Sequence, residues 1–235
     1  MKKVILKQYE AIHWKTFKIL EPDTGKFYCR YEYRRKPALR VEIDTPKARS
    51  LNGYLLIEKD LRNTLIWLKQ IKVTLDLHES TNKQKGHMAS GDREIFDTVK
   101  GLFVAALTFY GKCFSTCKGR KLKLDKKIIA EKYKDTHSYM IQMRNNFAAH
   151  SGEIKVETAR VVLALDKNKR KNTFPHIAKE VYQPDTCSFE DVTDCIASVN
   201  HLHVHVNGKI DTLVEKIMKD DVFGEGLNQW YEKAT

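Results

Sequence analysis

The stretch THSYMIQMRNNFAAHSGE, residues 136–153, decides how this chain is read. Working backwards from it, Ile129, Tyr133, Met140 and Phe147 recur at helical spacing, with Thr136 and Arg144 on the same line. Asp125 supplies an N-cap, so the pattern predicts a helix from Asp125 to about Ala149. Its end is unusually polar. Asn145 and Asn146 suit a fraying helix terminus, His150 suits the negative end of the helix dipole, and Gly152 suits a C-terminal cap. None of these roles accounts for Arg144. It sits at the edge of the apolar stripe, where a guanidinium that cannot lose its proton needs an anion, either a carboxylate or a substrate phosphate. Six residues of ideal helix put Arg144 and His150 about 120° apart and about 9 Å along the axis. They meet only if the helix unwinds after Phe147, if the arginine reaches over, or if two copies of the helix end face each other.

The neighbouring segments are also helical in pattern. Before the quoted stretch, Phe96, Val99, Phe103, Ala106, Tyr110 and Phe114 recur at three and four, predicting a helix over 93–116. Gly101, Ala105 and Ala106 are small enough to admit a neighbouring helix, and Tyr110, next but one to Lys112, reads as a core tyrosine with its hydroxyl aimed at a polar neighbour. Leu51, Leu55, Leu61, Leu65, Leu68 and Leu75 predict a long helix over 47–77, followed by the polar loop HESTNKQKGHMASGD. After the quoted stretch, ARVVLAL and a polar tip, DKNKRKN, predict a β-hairpin within 157–183. The last helix starts at Ser188 and carries Phe189, Val192, Ile196, Val199, Val206, Ile210, Leu213 and Ile217, with His203 filling the slot between Val199 and Val206. Residues 1–45 look extended: EPDTGK is a turn, and KFYCRYEYR and ALRVEI alternate, so a small antiparallel β element is expected.

Four amphipathic helices bury their stripes most simply against one another. The expected class is mainly α, with residues 1–46 as a β-rich extension packed on a helical domain over 47–235. A chain of 235 residues with 42% hydrophobic content supports a core without staples. Its five cysteines form no framework spacing, and Cys113 and Cys117 read as small core residues. The N-terminus has no signal-peptide pattern and the longest apolar run, GLFVAALTFY, is too short to span a bilayer, so a cytoplasmic location is expected.

The net charge of +12 points to a polyanionic partner such as nucleic acid. From Lys118 to Lys134 the chain holds eight Lys/Arg against two acids, directly before the quoted helix. Lys118, Arg120, Lys121 and Lys123 are the candidate phosphate-tracking rim, and Lys167 to Lys171 add to the field from the hairpin tip. HLHVHV places His201 and His205 on one side of the last helix and His203 on the other, a pair without a third metal ligand in sequence.

The segment RNNFAAH resembles the R-x(4–6)-H signature of the HEPN superfamily. LTFYGKCFSTCKGRKLKL followed by THSYMIQMRNNFAAHSGE resembles its abortive-infection AbiU-type branch over roughly residues 95–155. The resemblance implies an antiparallel four-helix bundle, with small β insertions here, that homodimerises through the motif helices. It implies a metal-independent endoribonuclease acting on RNA without a cofactor, in a toxin-like or phage-defence role with a neutralising antitoxin or defence partner. By position, His150 would be the general base or acid, Arg144 would stabilise the phosphorane charge, and Asn145 would orient the phosphate. The alternative is a non-catalytic HEPN module that dimerises and binds nucleic acid or a partner. Some family members carry a modifiable tyrosine two residues after the histidine; here Ser151 and Gly152 follow, so that mode of silencing is not expected.

Overall fold

The computed structural model describes residues 4–81, 93–116, 119–145, 158–168, 174–182 and 189–234. Most of these residues are helical, and the strands form two small antiparallel sheets, so the class is mainly α. Among the described residues, no helix is long and apolar enough to cross a membrane. The chain divides into two compact units, residues 1–51 with 212–235, and residues 52–211.

In the first unit, strands β1 (Val4–Ala11), β2 (Trp14–Glu21), β3 (Lys26–Tyr33) and β4 (Lys36–Pro37) pair in sequence order. The register runs from Val4↔Leu20 to Ala11↔Trp14, and from Trp14↔Tyr33 to Glu21↔Lys26. The turn expected at EPDTGK is present: Gly25 takes φ 65° and its N–H donates to the Glu21 carbonyl at 2.8 Å. The next turn carries no such signal, since Arg34 and Arg35 adopt φ 47° and 66° where Asn-Gly would be usual. ALRVEI forms no strand. The pairing of β4 with β3 runs out just past Pro37, where the Ala38 N–H donates to the Tyr31 carbonyl at 3.0 Å, and the alternation beyond has no partner strand to exploit. Phe17 and Ile19 point to the buried face of β2, and Arg30, opposite Phe17 in register, lies 4.8 Å from its ring.

The C-terminal residues of this unit are held by charge. Asp221, on a π-helical segment (Ile217–Val222), accepts from Thr45 Oγ1 at 2.6 Å and from Lys47 Nζ at 2.5 Å. The Lys47 and Thr45 hydrogen bonds hold the Asp221 carboxyl below its ordinary pKa. A single turn, α5 (Phe223–Glu225), and helix α6 (Leu227–Lys233) follow.

The second unit contains one apolar core shared by α1 (Pro46–Thr81), α2 (Arg93–Cys113), α3 (Lys134–Met143) and α4 (Phe189–Lys216). On α1 the buried line is Ile57, Leu61, Thr64, Leu65, Leu68 and Ile71. Leu55, expected in that line, is 46% exposed because it lies two residues, about 200° round the helix, from Ile57. The helix runs to Thr81, past the predicted loop start at His78; residues 82–92 of that loop lie outside the described residues. On α2, Val99, Phe103, Ala106 and Tyr110 are fully buried as expected, with Phe114 packed against them. Gly101 does not admit a helix: it is exposed and a Cβ there would meet nothing.

The helix expected from Asp125 is broken. Asp125 does cap, accepting from Lys127 N–H, but it caps a 3₁₀ turn (Lys126–Ile128). Extended backbone at Ile129 and Ala130 interrupts the ladder, and buries Ile129 at the break. A second 3₁₀ turn (Glu131–Tyr133) leads into α3, which ends at Met143, with the Arg144 N–H donating to the Met140 and Ile141 carbonyls. His137, rather than Thr136, takes the buried slot between Tyr133 and Met140. The predicted hairpin is present as β5 (Thr158–Ala164) and β6 (His176–Tyr182), registered from Thr158↔Tyr182 to Ala164↔His176. On α4, Leu202 fills the core slot assigned to His203.

Candidate active site and basic loop

Arg144 and Asn145 lie where α3 ends. The Arg144 stem crosses α2 at Gly111: a Cβ on that glycine would lie 2.9 Å from Arg144 Cδ and 3.1 Å from Nε. Gly111 is buried, and its missing side chain is the channel through which the arginine passes. Arg144 Nη1 donates to Asn145 Oδ1 at 3.2 Å. Among the described residues, no carboxylate forms an ion pair with this half-buried guanidinium. Of the two anions expected to meet Arg144, a carboxylate and a substrate phosphate, the carboxylate is not found among the described residues. His150 lies outside the described residues, as do Asn146 and Phe147.

About two turns before Arg144, His137 is buried at 6% exposure under the aromatic rings of Tyr110 and Phe114, whose centroids are 5.7 and 4.6 Å away. Its Nδ1 is 2.8 Å from the Tyr110 hydroxyl, the polar neighbour expected for that tyrosine. Its Nε2 is buried without a hydrogen-bond partner. Burial, helped by the nearby Lys126 charge, pulls the His137 pKa below its ordinary value, so the ring is neutral at pH 7. Burial pushes the Tyr110 phenol above its ordinary range, and it stays protonated. Lys126, His137, Ser138, Ile141, Gln142 and Asn145 line a groove of about 360 Å³ beside the motif helix.

The basic loop divides into inward and outward cations. Arg120, expected on an RNA-binding rim, is only 5% exposed. Its Nη1 donates to Asp60 Oδ2 at 2.8 Å, and its Nη2 donates to the Lys112 carbonyl at the end of α2. Asp60, itself 1% exposed, also has Lys59 and Lys112 ammonium groups 3.3 and 3.7 Å away. Arg120 is thus a structural clamp joining α1 to the C-terminus of α2, and its guanidinium is turned away from solvent. The loop is seated by two further contacts. Leu124 N–H donates to the Cys113 carbonyl at 2.8 Å, and Leu122 lies over Gly53, where a Cβ would come within 2.7 Å of Leu122 Cβ. Lys121 and Lys123 are exposed, as a phosphate-tracking role requires. Lys118 lies outside the described residues.

Two other candidates resolve as structural. Burial, then the Asp60 charge, push the Cys113 thiol up to about 12, leaving an inert core thiol; Cys117 lies outside the described residues. His203 Nε2 meets Glu58 Oε1 at 3.1 Å. Burial alone would raise Glu58, but hydrogen bonds from Arg62 and His203 outweigh it and hold the carboxyl below its ordinary pKa. His201 lies against Tyr133, at 5.3 Å between ring centroids, and His205 is pulled below its ordinary pKa by burial, Lys209 and His201.

Sequence reasoning passed over Asp60, Gly111 and His137. A signal was there for two of them. Asp60 and Thr64 fall on the buried line of α1, and His137 falls at helical spacing between Tyr133 and Met140. Gly111 had none, because its role is set by a side chain 33 residues away in sequence. No family model, no curated protein and no solved structure matches the chain.

Proposed function

We propose that the chain is a metal-independent endoribonuclease of HEPN type, in which α1–α4 form the antiparallel four-helix bundle. The observation that carries this reading is Arg144: a half-buried guanidinium with no carboxylate partner among the described residues, anchored through the Gly111 gap and steered by Asn145. A planar fork held in that way suits a phosphate oxygen. In this reading His150 takes the proton from the ribose 2′-OH, or returns one to the leaving 5′-oxygen. The 2′-oxygen bonds to phosphorus as the P–O5′ bond breaks, leaving a 2′,3′-cyclic phosphate and a 5′-hydroxyl. Arg144 offsets the charge that builds on the phosphorane, and Asn145 positions guanidinium and phosphate. Two protomers pair through their motif helices. The biological role is a cytoplasmic, toxin-like or phage-defence activity held in check by an antitoxin or defence partner; this follows the family resemblance alone.

The deciding experiment incubates the purified chain with single-stranded RNA in EDTA and characterises the product ends. Cyclic phosphate and 5′-hydroxyl ends support the reading, and DNA, which lacks the 2′-OH, stays intact. Metal-dependent cleavage that leaves 5′-phosphates would refute it.

Two substitutions refine the picture. Gly111→Ala raises intrinsic helix propensity by about 0.8–1 kcal/mol, yet forces the Arg144 stem to move. We expect a melting temperature no lower than wild type and a cleavage rate down by roughly 10- to 100-fold, the cost of a misplaced catalytic group. Unchanged turnover would mean that the arginine position is irrelevant to the chemistry. Replacing the exposed Lys121 and Lys123 with alanine removes two phosphate contacts at most. The slope of log affinity against log salt is expected to flatten by about 1.4 for single-stranded RNA, with the fold intact. An unchanged slope would reduce both residues to solvated surface.

One observation favours the non-catalytic alternative. On the hairpin, Val161, Leu163, Ile177 and Val181 are all more than half exposed and lie on one face in register. An apolar hairpin face of this kind suits a protein partner. A stable chain that binds RNA or a partner but cuts no RNA would promote that reading.

A further inference from the structure

We infer that the outer face of the four-stranded sheet, the one bearing Trp14, Phe27, Tyr31 and Tyr33, binds single-stranded nucleic acid by stacking bases on its rings. The inference goes beyond the nuclease reading and does not rest on it, since it concerns binding alone, by the strands and turns of the first unit.

Side chains of an antiparallel strand alternate between two faces, and cross-strand partners share one. Phe17 and Ile19 are buried and mark the inner face. Trp14 with Tyr33, Thr16 with Tyr31, and Leu20 with Phe27 therefore belong to the outer one. Three of these rings are open to solvent: Trp14 is 44% exposed, Phe27 54% and Tyr33 40%. Trp14 and Tyr33 lie 4.9 Å apart between ring centroids at one end of the sheet. Phe27 stands toward the other end, about 20 Å along β3 by the rise of an extended strand. The rings are spread along the strands, as successive bases are along a chain, rather than gathered at one edge. Rings presented in this way form a stacking platform, because every base has a π face. Charge selects a polyanion. The four strands carry three acids, Glu10, Glu21 and Glu32, and the register puts all three on the inner face. There Glu10 meets Lys15 at 2.8 Å and Glu32 meets Arg30 at 3.2 Å. The outer face carries Lys18, 5.9 Å from the Phe27 ring, and no strand carboxylate. The turn after Tyr33 adds Arg34, Arg35 and Lys36, all exposed, with the Arg34 guanidinium 5.4 Å from the Tyr33 ring. Arg34 and Arg35 hold left-handed backbone at φ 47° and 66°, which arginine adopts unfavourably and Asn-Gly adopts readily. Strain of that kind persists where the side chain itself is needed. Cations beside an exposed ring are the pairing that a nucleotide uses, with its phosphate on one and its base on the other.

The test measures the fluorescence anisotropy of a labelled single-stranded oligo(dT) of about fifteen nucleotides titrated with the full chain. DNA is the probe because a 2′-OH mechanism does not cut it, so binding is read apart from cleavage. We expect a dissociation constant in the micromolar range at low salt. Phe27→Leu keeps an apolar side chain and removes the π face. It is expected to weaken binding about tenfold, while Phe27→Tyr stays near wild type. Neither is expected to change affinity for a duplex of the same length, whose bases are stacked on one another. Arg34→Asn with Arg35→Gly relieves the turn, so its melting temperature is expected to be no lower than wild type. Its binding is nevertheless expected to weaken, and the slope of log affinity against log salt to flatten by about 1.4, for two phosphate contacts on a single strand. One arm reads stacking and the other charge. Wild-type affinity in Phe27→Leu or in the turn variant, equal losses on single strand and duplex in Phe27→Leu, or no binding below about 100 µM overturns the platform. Anionic lipid vesicles that bind through these residues while oligo(dT) does not would overturn it too, and make the face a membrane contact. If oligo(dT) binds through these residues and RNA stays uncut, the platform stands and the nuclease reading falls. If RNA is cut and oligo(dT) binding ignores these residues, the platform alone falls.

Discussion

If the chain is the proposed endoribonuclease, His150→Ala is expected to lower the rate of RNA cleavage in EDTA by roughly 10²–10⁴, the usual contribution of a positioned general acid or base. An imidazole titrates near neutrality and serves either proton transfer at physiological pH. Arg144→Ala is expected to cost at least as much, because in the proposed mechanism it removes the charge that meets the developing phosphorane. The two losses are separable. His150→Ala is expected to leave RNA affinity near that of wild type and Arg144→Ala to weaken it as well, since the proposed mechanism has the guanidinium hold the phosphate in the ground state. The Arg144 stem also fills space over Gly111, so some stability is lost with it. Melting curves for both variants therefore precede the kinetics. Activity unchanged in two well-folded variants would end the proposal that these residues carry the reaction.

The second large effect is on stability. Arg120→Ala strands the 1%-exposed carboxylate of Asp60 without its 2.8 Å partner, and Asp60→Ala strands a guanidinium that is 5% exposed. Removing one member of a buried pair typically costs about 3–5 kcal/mol, with Arg120→Ala at the lower end because the Lys59 and Lys112 ammonium groups stay 3.3 and 3.7 Å from Asp60. For a chain of this size that lowers the melting temperature by roughly 6–20 °C. The apolar double variant Asp60→Leu with Arg120→Met is expected to recover most of the loss, since neither charge then remains to be solvated. Melting curves of the two single variants and the double variant form the measurement. A wild-type melting temperature for Arg120→Ala would refute the clamp and return Arg120 to the list of candidate RNA contacts. The clamp ties the loop bearing Lys121 and Lys123 to Lys112 near the end of α2, the residue next to the glycine that receives Arg144.

By itself the sequence determined the helical class, the four amphipathic segments, the hairpin near 157–183 and the extended N-terminal region. Each rests on hydrophobic period or turn chemistry, which are local properties that a single chain displays openly. The cap at Asp125 and the turn at Gly25 were legible for the same reason: a side chain or a glycine satisfies its own backbone within a few residues. Only the tertiary structure decided what crosses between elements. The local pattern around Arg120 is a run of cations, and nothing in it marks the one whose partner is an aspartate 60 residues earlier. ALRVEI alternates as a strand does, yet meets β3 only through the Ala38 N–H on the Tyr31 carbonyl and forms no strand. Gly111 gains its meaning from the path of Arg144, and His137 from the phenol beside one of its nitrogens and the burial of the other without a partner. Period reports which face of an element is buried; it says nothing about which buried polar atom finds a partner, because that depends on distances between segments far apart in the chain.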